Sequence, residues 1–132
     1  MHLPPGIADA IVAHARAEAP NEACGFVVGS DIVGRGGAAR RYVPCRNALA
    51  SPTRFSVHPD DLLRLALETD RSGEEVWGVV HSHVRSAAVP SPTDVAEAAW
   101  PEALFLVVSL AGEPSLRAWW IIDGAAVEVA LA

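Results

Sequence analysis

The chain has 132 residues, of which 51% are hydrophobic and 20% charged. That suits one compact domain with an ample core and excludes a disordered chain. The formal net charge of -6 excludes the clustered basic surface that phosphate contacts need, so nucleic acid is not an expected partner.

All ten basic residues are Arg, so no side-chain amine here can carry an isopeptide-linked modifier. No apolar run approaches the roughly 18 residues of a membrane span. The N-terminal MHLPPGIADA lacks the charged and apolar regions of a secretory signal. Two cysteines, Cys24 and Cys45, make no disulfide framework. The expectation is a cytoplasmic protein with reduced thiols and no membrane partner.

In chain order, Pro5 to Ala19 predicts an amphipathic helix, with Ile7, Ile11, Val12 and Ala15 at helical spacing and Pro20 as its stop. Ala23 to Val28 predicts a short apolar strand. Further strands are expected at Ile32 to Val33 and Ala39 to Pro44, around a turn rich in glycine (Gly34, Gly36, Gly37). Arg46 to Ser56 is polar and loop-like. His58 to Asp70 predicts a second helix, with Pro59 at its first position and Asp60 and Asp61 as a solvated acidic first turn. Glu75 to His81 is a continuous apolar run, the pattern of a buried strand, followed by a loop from His83 to Pro90. Ser91 to Trp100 predicts a third helix ended by Pro101. Ala103 to Leu110 predicts another buried strand. Leu116 to Ile122 and Ala125 to Ala130 predict a hairpin turning on Asp123-Gly124. Such alternation predicts an α/β domain, a mixed sheet with helices on its faces, spanning 1–132.

The chemistry concentrates in His81-Ser82-His83 and Ser91-Pro92-Thr93-Asp94. Alternate residues of an extended segment point the same way, so His81 and His83 can converge. Asp94 falls in the first turn of the next helix, near the strand end if the loop folds back. Two imidazoles and a carboxylate, with a fourth position left to water, form a catalytic zinc set. Glu22, directly before the apolar strand, is a candidate general base.

Taken separately, these residues have plainer readings. Ser91-x-x-Asp94 around Pro92 is close to a helix capping box, and cap and ligand need not compete. Paired histidines at a strand end are often structural. Ser82 points away from both histidines, toward a structural role. Cys24 reads as a small core residue rather than a nucleophile. His14 reads as a surface residue and His58 as a near-cap residue. Of Trp119 and Trp120, one is expected in the core.

In combination, these residues resemble the JAMM/MPN+ family of zinc metalloproteases: an upstream Glu (Glu22), His-x-His (His81, His83), seven residues, Ser (Ser91), two residues, Asp (Asp94). The resemblance implies an MPN-type α/β fold with a curved mixed sheet. It implies a zinc ion on His81, His83 and Asp94, with Glu22 activating water and later protonating the leaving amine. It implies that Ser91 helps to hold the oxyanion. Asn21-Glu22-Ala23-Cys24-Gly25, Asn47-Ala48 with Ser51-Pro52-Thr53, Pro90-Ser91-x-Thr93-Asp94-Val95 and Asp123-Gly124-Ala125 resemble the small bacterial branch. That branch includes enzymes releasing cysteine from the C-terminus of a ubiquitin-like sulfur-carrier protein. The partner implied is a ubiquitin-like or sulfur-carrier protein with a C-terminal Gly-Gly tail, lying in a groove expected along Asn47 to Phe55 and Val84 to Pro90.

Three rivals differ in kind. A deconjugase would cut a ubiquitin-like modifier from protein lysines. A non-catalytic MPN scaffold would have lost ligands, whereas this chain keeps them all. A zinc deaminase needs His-x-Glu and Pro-Cys-x-x-Cys, and neither is present in the sequence.

Overall fold

A computed structural model describes residues 1–132. Its elements are α1 (Pro5–Glu18), β1 (Cys24–Gly29), β2 (Ala39–Cys45), α2 (Pro59–Ser72), β3 (Glu75–His83), α3 (Pro92–Glu97), β4 (Leu104–Ser109), β5 (Ser115–Ile122) and β6 (Ala125–Val129). The strands form one six-stranded sheet in the order β2-β1-β3-β4-β5-β6. Only β3 and β4 run parallel, and α3 lies in the connection between them. The other neighbours pair antiparallel. This is the mixed α/β sheet with flanking helices that the alternation predicts.

Each sheet face has its own core. Ile7, Ile11 and Ala15 of α1 pack with Val27, Val80, Leu106 and Val108 on one face. Leu65 of α2 packs with Phe26, Val79, Phe105 and Trp119 on the other. The central strands β1, β3 and β4 are therefore buried on both sides, which is why they read as unbroken apolar runs.

Several boundaries and assignments differ from the sequence expectations. Ile32 to Val33 is not a strand: Val33–Arg35 is a single turn of 3₁₀ helix. Gly36 closes it in the left-handed region at φ 79°. A Cβ on Gly37 would meet the Asp31 carbonyl oxygen at 1.9 Å, so the chain doubles back where an extended segment cannot. The third helix stops at Glu97 rather than Trp100, because Ala98 is extended. The Trp100 ring instead meets Phe26 edge to face at 5.4 Å. The strand β3 runs to His83 rather than His81, since β4 carries its ladder on to the pair His83–Ser109.

His14 is not a free surface residue: its Nδ1 lies 2.7 Å from the Tyr42 hydroxyl. His58 is the N-cap of α2 and accepts the Asp60 amide. Asp61 is not solvated but buried. It accepts hydrogen bonds from the Arg46 backbone N–H at 2.7 Å, from Nε at 3.1 Å and from Nη2 at 3.0 Å. These tie the start of α2 to the end of β2.

The Arg46 side-chain bond, followed by its backbone N–H, pulls the Asp61 pKa down to about 2. A depressed carboxylate stabilises the fold above its unfolded pKa of about 4 and loses that contribution as the pH falls toward about 2. Asp61→Ala should cost about 1–3 kcal/mol at pH 7, because the Arg46 amide is left unpaired. Urea unfolding at pH 7 and pH 2 checks this: the gap between wild type and variant should narrow at the lower pH.

Candidate active site

The site is built at the end of β3. In its ladder with β1, Cys24 stands opposite His81, and the Ser82 amide donates to the Ala23 carbonyl at 3.0 Å. Continuing this register outward sets Glu22 across from His83, on the sheet face that His81 and His83 share. Ser82 faces the other way and accepts the Ala23 N–H at 2.7 Å, the structural role its position suggests. The sheet thus brings a carboxylate and two imidazoles to one edge of one face.

Asp94 completes the group from α3. Ser91 Oγ accepts the Asp94 N–H at 3.0 Å, and Asp94 Oδ2 accepts the Ser91 N–H at 2.8 Å, a complete capping box. The same Oδ2 lies 3.0 Å from His81 Nε2 and 3.1 Å from His83 Nε2, and the two nitrogens are 3.0 Å apart. Cap and cluster therefore coexist on one carboxylate. His81, His83 and Asp94 are all buried.

The chemistry of this triangle fits a metal. His83 Nδ1 donates to the Ala87 carbonyl at 2.8 Å, which leaves the Nε2 of the neutral ring as a lone pair facing a carboxylate oxygen. Opposed lone pairs at that distance repel unless a cation or proton lies between them. A tetrahedral zinc ion with bonds of about 2.0–2.1 Å holds its donor atoms about 3.3 Å apart, close to the spacing here. His81, His83 and Asp94 could hold such an ion through Nε2, Nε2 and Oδ2. The Ala87 contact is the outer hydrogen bond that orients a ligand imidazole. His81 differs: its Nδ1 is buried with no protein partner. Its ring lies between Phe55, stacked at 4.7 Å, and Phe105 at 4.9 Å.

Burial works against charge throughout the cluster. It lowers the His81 pKa. For His83 it is outweighed by the bonds to Asp94 and Ala87, and the pKa rises. When protons rather than a cation bridge the cluster, donation from His81 and His83 outweighs burial at Asp94 and holds its carboxyl well below its usual range. Glu22 has no such support. It is 4% exposed, and its Oε1 has no partner. Burial pushes its pKa up to about 7, with His83 opposing and Asp94 adding to the rise. Cys24 is fully buried and its thiol is pushed up to about 12 by burial, then by Cys45, which fits a core residue and not a nucleophile.

A family model described as prokaryotic homologs of the JAB domain matches residues 4–122. The chain belongs to this family. The JAB chain is 35% identical over 124 residues to a CysO-cysteine peptidase of Mycobacterium tuberculosis, covering 92% of this chain and 83% of that protein. It is 32% identical over 134 residues to a probable TtuB-protein conjugate cleaving protease of Thermus thermophilus, covering 99% and 81%. The solution structure of protein DSY2949 from Desulfitobacterium hafniense superposes with a TM-score of 0.85 at 28% identity, covering 99% of this chain and 90% of that one. Both curated relatives are named as protein-cleaving enzymes, as the resemblance implies.

A cavity of about 710 Å³ opens beside Asp94 in the JAB domain. One wall is the segment after β2, through Leu49, Arg54 and Phe55. The other is α3 and its exit, through Glu97 and Trp100. The 84–90 loop is anchored to the sheet by its backbone carbonyls. Ala88 is buried and its carbonyl accepts the Trp119 indole N–H at 3.0 Å, while the Ser86 carbonyl accepts the Ser109 hydroxyl at 2.6 Å. Its task is to present the Ala87 carbonyl to His83. Trp119 is the core tryptophan; Trp120 is half-buried. Phe55 and Ala87 fall in the two segments expected to line a groove, but their contacts with His81 and His83 are not legible in the sequence. One is a lone aromatic in a polar loop and the other acts through its backbone, so neither leaves a motif.

The purified protein should take up about one zinc per chain, by elemental analysis. Asp94→Asn should weaken uptake by more than the roughly 10- to 100-fold that losing a supporting hydrogen bond costs. Equal uptake by both proteins would make the triangle a structural cluster.

Proposed function

We propose that this protein is a zinc-dependent peptidase that hydrolyses the bond after the C-terminal glycine of a ubiquitin-like or sulfur-carrier protein, releasing a C-terminal residue such as cysteine. The observation that carries the reading is the meeting, at one strand end, of a buried donor triangle and a buried carboxyl with a free oxygen. The names of the two relatives support the substrate class.

The chain's own residues divide the work. His81, His83 and Asp94 hold the ion, and the capping box and the Ala87 carbonyl keep two of these donors aimed inward. An ion held there would supply Lewis acidity toward the scissile carbonyl and lower the pKa of water. Glu22 takes a proton from the attacking water and returns it to the departing amine. Without the ion, burial raises its pKa to about 7; a cation on the neighbouring donors would lower it again, toward the carboxylate that a general base requires. Ser91 Oγ is engaged only as an acceptor from Asp94 N–H, so its hydroxyl hydrogen remains free to donate to the developing oxyanion. An extended Gly-Gly tail suits a narrow approach to a buried strand end, since glycine brings no side chain to clash.

Cleavage of a carrier-lysine isopeptide is the second reading, favoured by the conjugate-cleaving relative. It uses the same residues on a different leaving amine. The zinc-loaded protein should remove cysteine from a carrier-cysteine adduct, seen as a mass loss. Glu22→Gln should lower kcat by about 10²–10⁴ while retaining zinc. An intact adduct beside a cleaved lysine isopeptide would transfer the conclusion to the deconjugase. Neither substrate cut by the metal-loaded protein would return it to the scaffold class.

A further inference from the structure

The segment between β2 and α2 does more than wall the cavity. Glu22 precedes β1 and has no ladder of its own. Its peptide is held instead by this segment from both sides: the Glu22 N–H donates to the Ser51 carbonyl at 2.8 Å, and the Glu22 carbonyl accepts from Asn47 Nδ2 at 3.1 Å. The second hydrogen of that amide is used as well, on the Arg54 carbonyl at 2.9 Å. The Asn47 Oδ1 accepts the Leu49 N–H at 3.1 Å and the Ser56 N–H at 3.0 Å. One side chain thus spends its whole hydrogen-bonding capacity closing a loop and attaching the general base to it.

The loop reaches the other half of the site too. Asn47 pairs with Val57 in an isolated antiparallel bridge, and Phe55, within the closed loop, stacks on the His81 ring. Leu49, Arg54 and Phe55 face the cavity. The wall that a substrate tail would touch, the backbone of the base and the ring of one imidazole are therefore joined through Asn47.

We propose that Asn47 is a positioning residue for Glu22, fixing the base against the cavity wall so that proton transfer depends on the closed form of the 47–57 loop. This rests on the reading of Glu22 as the base. Asn47 touches neither the donor triangle nor the reacting atoms, so its loss should leave the metal in place and reduce turnover. No other residue of the chain donates a side-chain hydrogen bond to the Glu22 carbonyl, and an alanine cannot substitute for the amide.

The test uses the full chain with two variants and two independent readouts. Asn47→Ala removes every contact. Asn47→Asp keeps an acceptor for Leu49 and Ser56 and loses both donors, including the one to Glu22. In metal-free protein, amide hydrogen exchange at Glu22, Leu49 and Ser56 should rise roughly tenfold in Asn47→Ala while Val80 in the core stays protected. In Asn47→Asp the Leu49 and Ser56 amides should keep their protection. With zinc bound and the carrier-cysteine adduct as substrate, kcat should fall roughly 10- to 100-fold in both variants. KM should stay within about twofold, and zinc content should be unchanged. Wild-type kcat in Asn47→Asp would overturn the proposal. So would a loss that tracks zinc loss or faster exchange at Val80, since that marks general unfolding. If wild-type protein cuts no adduct, the functional reading fails on its own. The exchange measurement still decides the tether, and an unchanged Glu22 amide in Asn47→Ala would end it.

Discussion

The site depends on one oxygen atom. Asp94 Oδ2 receives the N–H of Ser91, the N-cap of α3, and faces two imidazole nitrogens from β3. A helix start and a strand end are thereby locked to each other through a single carboxylate. Everything that fixes that oxygen, from Ser91 to the parallel pairing of β3 with β4, also fixes the distance between the histidines and the acid. Burial makes the arrangement costly in isolation, because opposed lone pairs and a carboxylate are held away from water. A cation of the kind the triangle fits would relieve that cost, so local instability and metal affinity would have a common origin.

The sheet explains why four functional groups from distant parts of the chain meet without a dedicated scaffold. Antiparallel pairing of β1 with β3 sets Glu22 beside the histidines. The parallel crossover from β3 to β4 delivers α3 over the same strand end. The remaining contributions come from two irregular segments with separate tasks. The 84–90 loop orients His83 with a backbone carbonyl, and the 47–57 loop grips the peptide of Glu22. Protein-cleaving chemistry of the kind named for the relatives needs such preorganisation, because the reacting atoms gain most from groups that do not move at the moment of reaction.

Much of this was legible in the chain. Period-two spacing told that His81 and His83 share a face, and Ser91-Pro92-x-Asp94 spelled a helix start that the structure forms. Buried strands announced themselves as apolar runs. What escaped were features written in backbone geometry or tertiary contact. The Ile32 segment looked extended until the crowding of Gly37 against Asp31 was visible. Asp61 looked like a solvated acid because its partner Arg46 lies fifteen positions away. His14 found Tyr42 across the α1–sheet interface. Ala87 and Ala88 act through their carbonyls, which no side-chain pattern reveals. Asn47 stood in the sequence as part of a family-like string, and only the hydrogen bonds gave it a task.

The dual duty of Asp94 has a consequence for how such chains drift over evolutionary time. A descendant that abandons cleavage is still under selection to keep α3 folded, and the capping box gives Ser91 and Asp94 a reason to persist. His81 and Glu22 have no comparable refuge. One has an unsatisfied ring nitrogen and the other a bare buried oxygen, both liabilities once the chemistry is gone. Among diverged copies of this fold, a retained Ser-x-x-Asp is therefore a poor indicator of activity. The pairing of the strand-end histidine with the upstream glutamate is the better fossil of a working enzyme.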